Sequence, residues 1–84
     1  MTVMPLNLYP SVSASGSVPL DWKPVKGGAL KYPVRNEAVS HELQRLRSGK
    51  WQKVIKQGNI GEVHYFEHSS GAAADVKYFP HRPE

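Results

Sequence analysis

Apolar residues recur along the chain with two different periods, and the helical period appears in residues 36–48. Val39, Leu43 and Leu46 are spaced as one apolar stripe of an α-helix. Asn36 precedes the stripe and belongs to the residue types that cap helix N-termini. The pattern therefore predicts one short helix over residues 36–48, and a helix of this length needs a packing partner for its stripe.

Beyond the predicted helix, apolar and polar residues alternate, which is the period of β-strands. Three segments show this alternation, namely residues 51–56, 62–68 and 73–79. The two connections between them are short and contain glycine, as is typical of antiparallel hairpins. The sequence therefore predicts a helix followed by a three-stranded antiparallel meander, to which residues 29–34 would add a fourth strand.

The alternation also assigns side chains to the two faces of the predicted sheet. We expect the helix to cover the face that carries Val63, Tyr65, Val76 and Tyr78. The opposite face would then be open and would carry a polar surface with one aromatic residue, made of His64, Phe66, His68, Asp75 and Lys77. A shift of one residue in the pairing of a strand would reverse its assignment.

The N-terminal part of the chain shows neither period. Residues 1–35 contain five of the seven prolines, which interrupt helices and remove donors from sheets. We expect residues 1–18 to be a flexible segment and residues 19–84 to form a single small α+β domain. Residues 19–35 would pack as an extended arm through four large side chains: Leu20, Trp22, Leu30 and Tyr32. The predicted fold class is α+β, with one helix packed on a three- to four-stranded antiparallel meander and an extended or disordered N-terminal arm.

Length and composition exclude several classes of protein. A chain of 84 residues without cysteine has one modest core, no disulfide and no thiolate metal site. No apolar run approaches the roughly 20 residues of a membrane helix, so we expect no membrane partner. The first residues lack the basic and apolar regions of a signal peptide. We therefore expect a cytoplasmic protein, or one exported without a cleaved signal peptide.

The net charge of +4 is distributed unevenly. Residues 45–56 contain five lysines and arginines and no acidic residue. A basic cluster with an aromatic residue can hold phosphates while the ring stacks on a base. The predicted nucleic-acid-binding residues are Arg45, Arg47, Lys50, Trp51, Lys53 and Lys56. The alternative is a solvated helix end followed by an edge strand that lysine keeps soluble.

The central predicted strand concentrates groups that can transfer protons. A ribonuclease that needs no metal uses a base for the 2′-hydroxyl, an acid for the leaving oxygen and a cation for the charged phosphorus centre. Histidine suits both proton-transfer roles, and His64, His68 and Lys77 form the candidate set that shares one face. Glu67 is the fourth catalytic candidate, although a regular strand directs it to the other face. The alternative is an amphipathic strand with ordinary surface residues.

Residues 64–68 also fit the H-x-x-E-H pattern of inverted zinc peptidases. That pattern needs a helix, because its two histidines must converge on one metal ion. In a strand, His64 and His68 would stand about 13 Å apart. We therefore expect no metal ion and no cofactor.

The predicted helix and the sequence GKWQKVIKQGNIGEVHYFEHSSGAAADVKYFP resemble small C-terminal toxin domains of bacterial polymorphic toxins. The tandem His-Tyr-Phe-Glu and the downstream Asp-Val-Lys carry this resemblance, which covers residues 36–80. Many such domains have the barnase and colicin-type ribonuclease fold and cleave RNA without a metal. The resemblance implies a site with His64 and either Glu67 or His68, with Lys77 and a basic residue from 50–56 on the phosphate. It also implies an immunity protein as a partner and export as part of a larger toxin.

Three functions follow as hypotheses. The first is metal-independent cleavage or binding of RNA, in the manner of a toxin. The second is a non-catalytic module that binds nucleic acid or protein through Trp51, Phe66 and Phe79. The third is a small regulatory protein whose N-terminal arm folds when it binds its partner.

Overall fold

The computed structural model describes residues 6–81, which form one α-helix and a five-stranded antiparallel sheet. The elements in chain order are β1 (Leu8–Tyr9), a 3-10 turn (Ser13–Ser15), β2 (Pro24–Pro33), α1 (Glu37–Leu46), β3 (Trp51–Gly58), β4 (Gly61–His68) and β5 (Ala73–Pro80). The strands lie in the order β1-β5-β4-β3-β2.

The α+β class and the antiparallel sheet are confirmed, but the predicted number of three to four strands is wrong. The two-residue strand β1 pairs with β5 and adds a fifth strand at that edge. A strand of two residues is too short to produce an alternating pattern, which explains why the sequence does not reveal it. Of the segment 1–18 that was expected to be flexible, residues 1–5 lie outside the described residues.

Helix α1 forms where the apolar stripe predicts it. The Asn36 side chain accepts a hydrogen bond from the backbone N–H of Val39 at 3.1 Å, which satisfies one amide of the first turn. Glu37 in the first turn and Arg45 in the last turn complement the helix dipole. No helix within residues 6–81 has both the length and the apolar character needed to cross a membrane.

The first face of the sheet is covered by residues 12–22, and we call it the arm face. Its buried residues are Val54, Val63, Tyr65 and Ala73. Val12, Val18 and Trp22 pack against them from the N-terminal segment. The expectation that the helix covers Val63, Tyr65, Val76 and Tyr78 is therefore wrong. These side chains do share one face, but the arm occupies it.

The second face carries α1, and we call it the helix face. Leu43 of the helix is buried together with Trp51 and Ala74 of the sheet. Val39 and Leu46 complete the apolar stripe against this cluster. Because α1 has only ten residues, it covers one end of the helix face and leaves the other end open.

Strand β5 contains a bulge at Asp75, which has a φ of +51°. The pairing with β4 shifts between His64 and Phe66, so that Ala74 lies opposite Phe66 and Lys77 opposite His64. The bulge reverses the alternation. Ala73 therefore joins the arm face, whereas uninterrupted alternation would place it on the same face as Lys77.

The expected arm contacts are confirmed for one side chain only. Trp22 packs on the arm face, and its indole N–H donates to the carbonyl of Gly61 at 2.9 Å. Leu20, Leu30 and Tyr32 are exposed, with 103%, 50% and 45% of their surface accessible. Leu30 and Tyr32 lie on β2, the edge strand that continues the sheet beyond β3.

Candidate functional site

Strand pairing arranges the helix face in four rows that run across the sheet. In order from the end covered by α1, the rows are Trp51–His68, Tyr32–Lys53–Phe66–Ala74, Leu30–Ile55–His64–Lys77 and Gln57–Glu62–Phe79. Neighbours within a row are about 5 Å apart and successive rows are about 7 Å apart. Helix α1 packs on the first row and on the Phe66–Ala74 end of the second. The third and fourth rows form the open half of the helix face.

His64 and Glu62 are joined by a hydrogen bond in the open half. The Nε2 atom of His64 lies 2.8 Å from a carboxylate oxygen of Glu62. Hydrogen bonds from His64 and from Gln57 lower the pKa of Glu62, so its carboxylate is ionised at neutral pH and acts only as an acceptor. Nε2 must therefore carry the hydrogen, and the neutral His64 ring keeps its lone pair on Nδ1.

A depression of about 180 Å³ opens beside the His64 ring. It is lined by Lys53, His64, Tyr65, Phe66, Asp75, Lys77 and Phe79. The Phe79 ring packs against the imidazole with 4.6 Å between ring centroids. This volume is below the range of about 300–1,000 Å³ that is usual for small-molecule sites. The depression therefore suits a small group such as a phosphate.

Two lysines give this depression its cationic character. Lys77 lies directly opposite His64 across the β4–β5 pair, and its ammonium group is 3.7 Å from the Asp75 carboxylate. Lys53 approaches from β3, and no carboxylate within residues 6–81 forms an ion pair with it. An anion in the depression would therefore find one lysine already paired and one that is available.

His68 lies in the first row, and its ring is built into the fold. Only 7% of its surface is accessible. Its Nε2 donates to the carbonyl of Ser48 at 2.9 Å, and its Nδ1 accepts from the backbone N–H of Ser70 at 3.0 Å. The ring also makes an edge contact with Trp51. His68 shares a face with His64, as expected, but it is buried two rows away from His64 and does not line the depression.

Glu67 and Lys56 lie on the arm face. Glu67 forms an ion pair of 3.1 Å with Lys31 and accepts a hydrogen bond from the Tyr65 hydroxyl at 3.4 Å. Lys56 lies over the Tyr65 ring, 5.6 Å from its centroid. Both residues are thus on the side of the sheet opposite to His64 and Lys77.

The structure does not bring the remaining predicted nucleic-acid-binding residues together with Lys53. Arg45 is 3.9 Å from Glu42 on the helix surface, and Arg47 donates to the hydroxyl of Ser70 at 2.9 Å. Lys50 is exposed in the turn before β3. Trp51 has only 7% of its surface accessible, and its indole N–H donates to the Arg47 carbonyl, so its ring has no free face for a base.

Glu62, Phe79 and Asp75 were absent from the predicted catalytic and nucleic-acid-binding residues, although Phe79 was a predicted contact of the non-catalytic module. Glu62 stands two positions before His64 on the same strand face, and this spacing is a signal that the sequence carries. Phe79 follows Lys77 with the same spacing. Asp75 lines the depression at the bulge and lies on the face that alternation predicted for it.

The H-x-x-E-H pattern lies in strand β4, as expected from its composition. His64 and His68 therefore stand two rows apart, and Glu67 points to the other face. Within residues 6–81, no three side chains of the metal-binding types come together.

Comparisons with known proteins identify no relative of this chain. No protein-family model, no curated protein and no solved structure matches it. The resemblance of residues 36–80 to ribonuclease toxin domains therefore stays a prediction.

Proposed function

We propose that the open half of the helix face binds a phosphodiester of RNA and cleaves it without a metal ion. The observation that carries this proposal is the placement of His64, Lys77 and Lys53 around one depression. A hydrogen bond from His64 Nε2 to the Glu62 carboxylate orients the imidazole. A base oriented by a carboxylate, with cations beside it, is the arrangement that general-base catalysis on a phosphate requires.

In the proposed reaction, His64 acts as the general base. Its Nδ1 lone pair takes the proton of a 2′-hydroxyl, and the resulting 2′-oxygen attacks the adjacent phosphorus. The bond between phosphorus and the 5′-oxygen then breaks, which leaves a 2′,3′-cyclic phosphate and a 5′-hydroxyl. The leaving oxygen takes its proton from water, or from a lysine ammonium group that then regains a proton from solvent, and the imidazolium returns its proton to solvent.

Glu62, Lys77 and Lys53 have supporting roles in this reaction. The carboxylate of Glu62 stabilises the imidazolium that forms at His64, because the two groups already share a hydrogen bond. The ammonium groups of Lys77 and Lys53 stabilise the additional negative charge on the phosphate oxygens. A phosphate that enters the depression would also compete with Asp75 for Lys77.

The test is cleavage of a labelled single-stranded RNA in excess chelator by the native protein and two histidine variants. We expect His64→Gln to lower the cleavage rate by about 100-fold or more, because it removes the general base. His41→Gln changes an exposed histidine on α1 and is the matched control, with an unchanged rate. Intact RNA with the native protein, or equal rates for both variants, would contradict the proposal.

A non-catalytic binding module is the second candidate, and the exposed apolar side chains of the open half favour it. Leu30 and Phe79 have 50% and 44% of their surface accessible, and exposed apolar groups beside cations are typical of binding surfaces. If RNA binds but is not cleaved, this function replaces the first. Lys53→Gln and Lys77→Gln should then each reduce the slope of log affinity against log salt by about one.

A toxic role rests on the sequence resemblance and is a separate part of the proposal. Expression in bacteria should arrest growth if the protein cleaves cellular RNA, and His64→Gln should abolish the arrest. A protecting immunity protein and export within a larger toxin belong to the same hypothesis. Harmless expression of a protein that cleaves RNA in vitro would remove the toxin part and leave the ribonuclease.

A further inference from the structure

A second cavity lies beside the depression, and we propose that it receives the nucleobase next to the bound phosphate. This inference rests on the proposed function, since it assigns the rest of the same ligand. The cavity is bounded by strand β2, the segment that connects it to α1, and the first turn of the helix. Its lining residues are Tyr32, Pro33, Val34, Arg35, Asn36, Val39, Lys53 and Phe66.

The size of this cavity suits a base rather than a phosphate. Its volume is about 480 Å³, against about 180 Å³ for the depression beside His64. The larger volume lies within the range of about 300–1,000 Å³ that small-molecule sites occupy. The larger cavity can therefore hold the base of a nucleotide, and the smaller depression can hold its phosphate.

The two cavities share the side chains of Lys53 and Phe66. Lys53 lies between Tyr32 and Phe66 in the second row, and His64 lies in the adjacent third row. Successive rows are separated by about 7 Å. One nucleotide can bridge this distance, with its phosphate beside His64 and its base beside Tyr32.

The apolar side chains of the cavity walls suit the flat ring face of a base. The rings of Tyr32 and Phe66 and the side chains of Val34 and Val39 offer apolar contact to a flat ring. Tyr32 has 45% of its surface accessible, so its ring can stack on a base without rearrangement of the core.

Asn36 offers hydrogen bonds to the edge of a base. Its side-chain oxygen is already used by the Val39 N–H at 3.1 Å, which leaves the amide hydrogens as donors at the cavity wall. The guanidinium group of Arg35 is also a donor only. The lining therefore combines apolar contact to the ring faces with donors for base acceptors. We infer that the ligand is single-stranded RNA with an unpaired base.

Calorimetric titration with a nucleoside monophosphate, ribose 5-phosphate and inorganic phosphate separates the base from the phosphate. We expect the nucleotide to bind about 5- to 10-fold more tightly than ribose 5-phosphate, at the low end of the effect of base–aromatic stacking. Tyr32→Ala should abolish this difference, and Tyr32→Phe should retain it because the ring remains. Tyr9→Ala is the matched control, since Tyr9 lies on β1 at the opposite edge of the sheet.

The possible outcomes distinguish this inference from the proposed function. Equal affinities for the nucleotide and ribose 5-phosphate, with RNA cleavage that still depends on His64, would overturn the base site and leave the ribonuclease. A nucleotide preference that Tyr32→Ala does not change would also overturn the base site. If none of the three probes binds, both the base site and the phosphate site are wrong.

Discussion

Replacement of His68 by alanine tests whether this histidine belongs to the fold or to the chemistry. His64 and His68 lie on the same strand and the same face, so the sequence offers no means of separating them. The structure separates them by burial and by hydrogen bonding, because His68 is 7% accessible and both of its ring nitrogens are used. We expect His68→Ala to destabilise the protein strongly.

The magnitude follows from the groups that the substitution leaves without partners. The Ser48 carbonyl and the Ser70 N–H each lose a hydrogen bond, and each loss costs about 1 kcal/mol. The lost packing of the ring on Trp51 contributes about 1 kcal/mol more. A total of about 3 kcal/mol lowers the melting temperature of a domain this small by about 12–24 °C. His64→Ala removes one hydrogen bond to Glu62 between two partly exposed side chains, and it should lower the free energy of unfolding by about 1 kcal/mol or less.

Thermal unfolding followed by circular dichroism measures both effects. His68→Gln is the informative companion, because an amide can donate to Ser48 and accept from Ser70, so it should recover part of the lost stability. At a temperature where His68→Gln is folded, its RNA cleavage rate should equal that of the native protein. A melting temperature unchanged in His68→Ala, or a folded His68→Gln that has lost cleavage, would refute the structural role.

Further predictions concern the turn after α1, the arm and one buried tyrosine. Gly49→Ala should cost about 2–3 kcal/mol in denaturant unfolding, more than Gly71→Ala at about 1 kcal/mol. Both have positive φ, but only at Gly49 would the new Cβ approach another group, 2.5 Å from His68 Nε2. Trp22→Phe should cost about 1 kcal/mol in the same assay, because the hydrogen bond to Gly61 is lost. Burial raises the pKa of Tyr65 from 10.0 to about 12. The protonated tyrosine therefore stabilises the fold below pH 10.0, and this stabilisation is lost as the pH rises to about 12.

Each of these predictions has a result that would contradict it. Equal losses in the two glycine variants would show that backbone strain alone acts at Gly49. A Trp22→Phe variant as stable as the native protein would mean that the arm does not depend on the indole hydrogen bond. Tyr65→Phe removes the ionising hydroxyl, so its alkaline unfolding should lose the step between pH 10.0 and about 12. A step that persists in this variant would assign it to another group.

The helix and the three C-terminal strands were predictable because their signals are local. The stripe of α1, the cap at Asn36 and the alternation in β3, β4 and β5 each lie within one element. What packs on each face was not predictable, because alternation shows only that residues share a face. The arm and the helix both carry apolar side chains, and the sequence pattern is compatible with either of them covering Val63 and Tyr65.

The residues of the predicted nucleic-acid-binding site do not lie together in the structure, again because a sequence pattern does not fix three-dimensional neighbours. The basic residues of that site were grouped by proximity in the sequence, although the period of a strand separates them. Lys53 and Lys56 are three positions apart on β3 and therefore lie on opposite faces, which alternation already implied. The bulge at Asp75, which moves Ala73 to the arm face, was beyond the sequence because it depends on how β5 pairs with β4.

The proposed position of the RNA is on the open half of the helix face, with its phosphate beside His64. It is tested most directly by NMR spectra of the imidazole groups during titration with an RNA that carries a 2′-deoxy nucleotide at the cleavage position. We expect the His64 signals to shift as the ligand is added, while those of His41 and His68 do not. Signals of His64 that stay fixed while RNA binds would contradict it.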